Sequence, residues 1–272
     1  MFTLSCFADE ISPHLNEQLD VMERLNVRYL SLRSVENVNV LDLTDRQIRE
    51  ISAALRARGM GVSSVGSPIG KTPVTDDIAH CLDRTSRAVE IALALDCRRV
   101  RVFSFYMGKD GPDRHRDAVM ERMAAMTEIA AEAGVTLMHE NEAGIYGERS
   151  DRCGDILKSI NHPFLRAVFD ASNFVAAGEK PFDESLPRVF EYVDYLHIKD
   201  SRRSDGVIVP AGEGDGQIAA VLSALSGRDL FLTLEPHLSS AGRMRGFSGP
   251  QLFEKALDAL TKLLRDADLA YN

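Results

Sequence analysis

Several features are missing from this chain, and each absence removes a class of protein. Its 272 residues carry no basic stripe: 41 acidic residues outnumber 32 basic ones, for a net charge of −9. A nucleic-acid surface normally needs clustered Lys and Arg, so the acidic balance reads as a solvated surface. The four cysteines (Cys6, Cys81, Cys97 and Cys153) form no CxxC pair and no metal-type spacing. They read as free, mostly buried thiols in a reducing compartment. No apolar run is long enough to cross a bilayer, and MFTLSCF followed by Asp9-Glu10 does not resemble a secretory leader. The expectation is therefore a cytoplasmic protein without membrane contact. No GxGxxG follows the first strand-like run, which argues against a dinucleotide fold. Linkers, low-complexity tracts and composition shifts are absent too, so residues 1–272 read as one domain.

What the chain does contain is an eightfold alternation. Short runs rich in Val, Leu and Phe fall near 3–7, 28–33, 61–66, 98–105, 135–140, 165–170, 193–199 and 229–235. Helical patterns separate them, at about 13–26, 44–58, 76–95, 113–133, 151–160, 183–192, 215–225 and 250–265. Ser12 and Thr44–Asp45 read as helix starts, Asp215 as another N-cap, and Gly59 as a stop. Alternating strands and helices imply a parallel sheet covered by helices. Eight units with no spare strand predict an α/β fold in the form of a single closed (β/α)8 barrel of the TIM type.

Four polar residues close four successive strands in the second half: Glu140 ends VTLMHE, Asp170 ends LRAVFD, His197 ends VDYLH and Glu235 ends LFLTLE. Any one of them could be a helix cap or a satisfied core residue. Together, at the C-terminal ends of parallel neighbours, they converge on one mouth, where such barrels hold their sites. Three crowded carboxylates repel unless a cation neutralises them. An oxygen-rich set with one imidazole suits one divalent metal ion (Mn²⁺, Mg²⁺, Co²⁺ or Zn²⁺) and is a poor match for structural zinc. A metal between two glutamates suits proton transfer beside a carbonyl: chelating a ketone and its neighbouring hydroxyl acidifies the C–H and stabilises an enediolate. One glutamate takes a proton and the other returns one.

With these residues in place, the chain resembles the xylose-isomerase-like barrel superfamily of sugar and sugar-phosphate isomerases and epimerases, and its ketose 3-epimerase branch in the ligand set. The resemblance spans nearly the whole chain and rests on VTLMHENE, AVFDASNF, YLHIKDS and LTLEPH. It implies Glu140, Asp170, His197 and Glu235 as ligands of one divalent metal, and Glu140 and Glu235 as the catalytic acid/base pair. It also implies a site arginine six residues beyond the metal-binding histidine, here Arg203 beside Arg202. Two positions depart from the pattern: Asn173 stands where a substrate-binding histidine is usual, and Ser31 where the second strand often ends in glutamate. Asparagine still donates and accepts hydrogen bonds, but it does not exchange a proton at neutral pH.

Lys71, Glu142, Lys199 and His237 complete the substrate-binding expectations, each beside a strand end, with Tyr146 near Glu142. Strand alternation aims Lys199 at the same interior side as His197. Asp200 reads as a partner orienting His197, His139 as facing the helix layer, and Asp9, Glu10 and Arg33 as bordering the mouth. The glycine-rich loop 210–217 follows strand seven, where barrels often grip phosphate, but Glu213 and Asp215 would repel one. The expected partner is thus a small non-phosphorylated carbohydrate, with no nucleic acid, no membrane and a possible homo-oligomer. The leading function is a sugar isomerase or epimerase. Elimination from a keto-sugar or inosose by the same enolate chemistry is the alternative, followed by a non-catalytic sugar-binding barrel. An apurinic endonuclease, which needs a three-metal cluster, is excluded by only 7 histidines and by Asn173.

Overall fold

The computed structural model describes residues 1–238 and 248–272. Eight parallel strands close a barrel: β1 (Phe2–Cys6), β2 (Tyr29–Leu32), β3 (Gly61–Val65), β4 (Arg99–Val102), β5 (Thr136–Glu140), β6 (Leu165–Asp170), β7 (Val193–Ile198) and β8 (Leu230–Leu234). They follow in chain order around the barrel, and β1 closes it against β8 from Phe2↔Leu230 to Cys6↔Leu234. All eight expected strands are present.

The helices between them are α1 (Leu15–Arg24), α2 (Asp45–Ala57), α3 (Ile78–Ala94), α4 (Pro112–Glu132), α5 (Ser150–Ile160), α6 (Ala171–Ala176), α7 (Leu186–Val189), α8 (Ile218–Ala224) and α9 (Gly249–Asp266). Thr44 starts α2 with a capping box shared with Gln47, as its sequence suggests. Two expected caps fail. His14, not Ser12, precedes α1, whose first free N–H (Leu15) donates to Glu36 Oε1 at 3.2 Å. Gln217, at φ +51°, precedes α8, while Asp215 turns back to accept the Arg203 N–H at 2.7 Å. The helix expected over 183–192 is irregular: Pro187 lacks the N–H a regular ladder requires, and α7 is short with wide and tight turns on either side.

Two short hairpins lie above the barrel's C-terminal end. Ser34–Val35 pairs with Val38–Asn39 through Glu36 and Asn37, both at positive φ as a tight two-residue turn requires. Asp200–Ser201 pairs with Ile208–Val209.

The side chains divide into two cores. The larger lies between strands and helices. The smaller fills the barrel with Met138, Val168 and Tyr195, packed on Phe231. Hydroxyls complete this inner layer: Tyr195 Oη meets Ser63 Oγ at 2.7 Å and Ser64 Oγ at 3.2 Å, and accepts from Thr233 Oγ1. Ser5 in turn meets Ser63 at 2.6 Å.

Candidate metal centre and active-site cavity

The inner core determines what stands at the mouth. Strand side chains alternate faces with a period of two. Two residues beyond Met138, Val168, Tyr195 and Thr233 come Glu140, Asp170, His197 and Glu235, all therefore pointing inward at the C-terminal end. Register completes the convergence, with Asp170 level with His197 across β6 and β7. One ligand atom from each of the four lies within 4.8 Å of the others, and all four residues are at most 4% exposed.

Each carboxylate has one tethered oxygen and one without a hydrogen bond. Glu140 Oε1 is 2.7 Å from His197 Nδ1, Asp170 Oδ1 accepts the Asn173 N–H at 2.9 Å, and Glu235 Oε1 accepts from Arg33 at 2.9 Å. Glu140 Oε2, Asp170 Oδ2 and Glu235 Oε2 have no hydrogen-bond partner among the described residues. Buried polar atoms are normally satisfied. Three orphaned anionic oxygens around one imidazole therefore fit a divalent cation, and fit it better than they fit any packing role.

Cations stand close to those oxygens without hydrogen-bond alignment: Arg101 is 3.2 Å from Glu140 Oε2, and Lys199 Nζ is 2.8 Å from Asp170 Oδ2 and 3.9 Å from Glu235 Oε2. Protonation follows from this balance. Burial pushes the Glu140 carboxyl up, but His197 and Arg101 outweigh it and bring it to about 2. Burial, reinforced by Glu140 and Glu235, raises Asp170 to about 6 against the pull of Lys199. Burial also opposes ionisation of Glu235, yet Lys199, His197 and His237 hold it well below the usual carboxylate range. His197 goes the other way: burial lowers it, and its two glutamates lift it to about 9.

A cavity of about 320 Å³ opens over the cluster. Glu140, Glu235, Lys199 and His237 line its floor and side, with Arg33 and Arg101. Lys71 and Glu142 form its rim, joined at 2.7 Å, with Lys71 Nζ over the Phe103 ring. Gly70 places that rim. Its φ is +87°, and a Cβ there would lie 2.0 Å from Phe103 O, so only glycine lets the loop run against β4. His237, also at positive φ (+44°), bridges Glu10 at 2.8 Å and Glu235 at 3.3 Å.

The remaining expectations fall elsewhere. Arg203 turns outward and donates to the carbonyls of Gly178 (3.0 Å) and Glu179; it does not line the cavity. Asn173 spends its amide on Asn141 O at 2.8 Å, beside the cluster but not on the cavity wall. Tyr146, which the sequence offered as a sugar contact, donates to Asp155 at 2.6 Å and does not line the cavity. Asp200 does not orient His197, whose Nδ1 is turned to Glu140. Its carboxylate instead accepts four backbone N–H groups, from Gly212 (2.8 Å), Gly214 (3.1 Å), Gly216 (2.8 Å) and Ser201 (2.9 Å). His139 is buried as expected, 3.0 Å from Ser104 Oγ.

Arg101 was not anticipated, nor was the role of Phe7. Phe7 presents its ring to both Arg33 (4.5 Å) and Arg101 (4.9 Å) and meets His197 edge-on. The signal for Arg101 was a charge inside the apolar run RVRVF, where an inward arginine needs an anion. Among the described residues, no helix is long and apolar enough to cross a membrane.

No curated protein matches the chain in sequence. Solved structures do. The IolI protein with a bound zinc atom superposes with a TM-score of 0.77 at 14% identity, over 98% of this chain and 98% of that one. A D-tagatose 3-epimerase-like protein gives 0.75 at 16% identity, over 98% of each chain. The probable 3-DHS dehydratase AsbF of petrobactin synthesis from Bacillus anthracis gives 0.75 at 13%, over 96% of this chain and 98% of that one. At such identities these likenesses speak to the fold. The family model for the xylose isomerase-like TIM barrel matches residues 19–263, and the chain belongs to that family.

Proposed function

We propose that the protein is a divalent-metal-dependent isomerase or epimerase of a small, non-phosphorylated keto-sugar or polyol, moving a proton α to a carbonyl through an enediolate. The observation that carries this reading is the pair of inward glutamates, each with one oxygen tethered and the other without a hydrogen bond at the base of the cavity. Glu140, Asp170, His197 and Glu235 would hold the metal, which when bound would acidify the C–H beside a carbonyl and stabilise negative charge.

The chain's own groups do the rest. The Glu235 and Glu140 carboxyls, both held below the usual range, are carboxylates at neutral pH. One carboxylate takes the substrate proton and returns it to the adjacent carbon, or gives it up to water while the other, protonated from water, delivers one to the opposite face. Lys71 and Glu142 offer the rim a donor and an acceptor for hydroxyl groups. Lys199 and His237 supply further donors on the wall. Substrate without phosphate is favoured because the glycine N–H groups after β7, the natural phosphate cradle, are already filled by Asp200. Pairing of two such barrels as a homo-oligomer belongs to the same proposal.

The test is deuterium incorporation followed by NMR in D₂O. Metal-loaded protein is offered a panel of ketoses, inososes and 3-keto-sugars, with Glu235→Gln as control. Label at one carbon, lost in the variant, supports the proposal. A metal-bound protein that labels nothing would favour a sugar-binding role and sink the isomerase reading. The likeness to a probable dehydratase favours one second reading, elimination from the same enolate. Loss of water from the product would identify it.

A further inference from the structure

The three carboxylates of the cluster share a feature that metal binding alone does not require. A basic residue reaches each, with Arg33 shared with Asp9 and Glu10 and Lys199 also 3.9 Å from Glu235. Arg33 reaches Glu235 at 2.9 Å, Arg101 reaches Glu140 at 3.2 Å, and Lys199 reaches Asp170 at 2.8 Å. The three come from different strands or strand ends, so no local sequence repeat produces the pattern. None is a casual surface contact. Lys199 and Arg101 have side chains only 8% and 7% exposed, and Arg33 is further gripped by Asp9 at 2.7 Å and Glu10 at 3.0 Å. Phe7 holds both guanidinium groups against its ring.

We infer that Arg101 and Lys199 are built-in counter-cations: they stand on the three carboxylate oxygens that lack hydrogen bonds, so that the barrel mouth folds without a metal, and they compete with the divalent ion for those oxygens, while Arg33 holds the other oxygen of Glu235. This inference rests on the metal reading proposed above. Its physical basis is that three anions within a few ångströms destabilise a buried site unless opposite charge lies beside them. Here the chain supplies that charge covalently. A further cation must then enter against the repulsion of two fixed positive groups that already stand on the oxygens it needs. The same groups keep the carboxylate oxygens separated and aimed. They act on the metal through Glu140, Asp170 and Glu235, and are positioning residues.

Lys199→Met is the decisive variant, because methionine keeps the length and apolar stem and removes only the charge. Mn²⁺ affinity is measured by calorimetric titration of chelator-treated protein, alongside the melting temperature in EDTA and in excess Mn²⁺. The inference expects Lys199→Met to bind Mn²⁺ at least about tenfold more tightly than wild type, about 1.4 kcal/mol. It also expects the variant to melt lower than wild type in EDTA and to regain the difference with Mn²⁺. Lys199→Arg, which keeps the charge, should return affinity and EDTA stability towards wild type. Should Lys199→Met fold poorly, Arg101→Met tests the same expectation at Glu140. Equal or weaker Mn²⁺ binding by the charge-removing variants would overturn the inference while leaving the metal reading intact. Absence of Mn²⁺ binding by wild type and variants alike would overturn both.

Discussion

Asp200→Asn is the substitution whose consequence follows most directly from geometry. The carboxylate accepts two N–H groups on each oxygen: Gly212 and Gly214 on Oδ2, Gly216 and Ser201 on Oδ1. Burial raises its carboxyl, and the four N–H groups oppose that rise without cancelling it. Asparagine keeps one accepting oxygen and turns an NH₂ towards the other two donors. Two bonds to a charged acceptor are lost, each worth about 1.5–3 kcal/mol, and two donor–donor contacts replace them. Gly212 is exposed and Gly216 buried, so the retained oxygen stays with Gly216 and Ser201, the NH₂ faces Gly212 and Gly214, and water can replace the bond at Gly212. The lower end, about 3 kcal/mol of local opening, is the fair expectation. At about 1.4 kcal/mol per factor of ten, amide exchange at Gly214 and Gly216 should accelerate by about 100-fold. The β3 amides, across the barrel from β7, should keep their rates. Amide hydrogen exchange followed by NMR reads both sets at once. Unchanged protection at Gly214 and Gly216 would refute the view that Asp200 organises this loop.

Other expectations follow from the same structure. His139 is buried as the neutral ring, with burial pushing it down to about 4, below an unfolded value near 6.5. Its contribution is therefore present above pH 6.5 and is lost as pH falls towards 4; urea denaturation should show about 2 kcal/mol of it lost between pH 7 and pH 5. His139→Gln should remove that component of the pH dependence. Gly70→Ala would put a Cβ against Phe103 O at a φ of +87°. We expect a loss above about 2 kcal/mol in urea denaturation, since the positive φ alone costs about 1–2 kcal/mol and the clash adds to it. A melting temperature equal to wild type would show that the loop can move aside. Tyr195→Phe strips Thr233 of its hydroxyl partner and Ser63 of one of two. It should cost about 1–3 kcal/mol in the same assay, and a neutral result would mean the inner hydroxyls re-pair among themselves.

The barrel and the convergence of Glu140, Asp170, His197 and Glu235 were legible because both depend on period. Apolar runs mark strands, and in each of the last four a polar residue stands at the run's end. What escaped the sequence depends on contacts between distant segments. Glu36 satisfies the first N–H of α1 from across a hairpin, so Ser12, a good cap by local rules, is not the cap. Asp200 follows the strand that carries His197, yet its partners are glycines 12 to 16 residues on, and nothing local separates this role from orienting His197. Arg203 lay at the family-implied spacing, but its loop is pinned by Asp215 and the guanidinium turns to Gly178 and Glu179. The helix α6 starts directly from Asp170, whose side chain caps it. With no turn residue between strand and helix, ASNFVA reads as more of the same apolar run.

The separation of the two cores has a consequence for how such a protein can change. Most of the apolar burial lies between strands and helices, whereas the groups facing the cavity are mounted on the inner wall above a thin hydroxyl-rich layer. Replacing an inner-wall residue alters what the mouth recognises and leaves the outer packing almost untouched. Changes at the mouth therefore act on folding chiefly through the inner charge and hydroxyl network, and not through the outer core. Chains with fewer than one residue in five in common can keep one architecture while their mouths diverge.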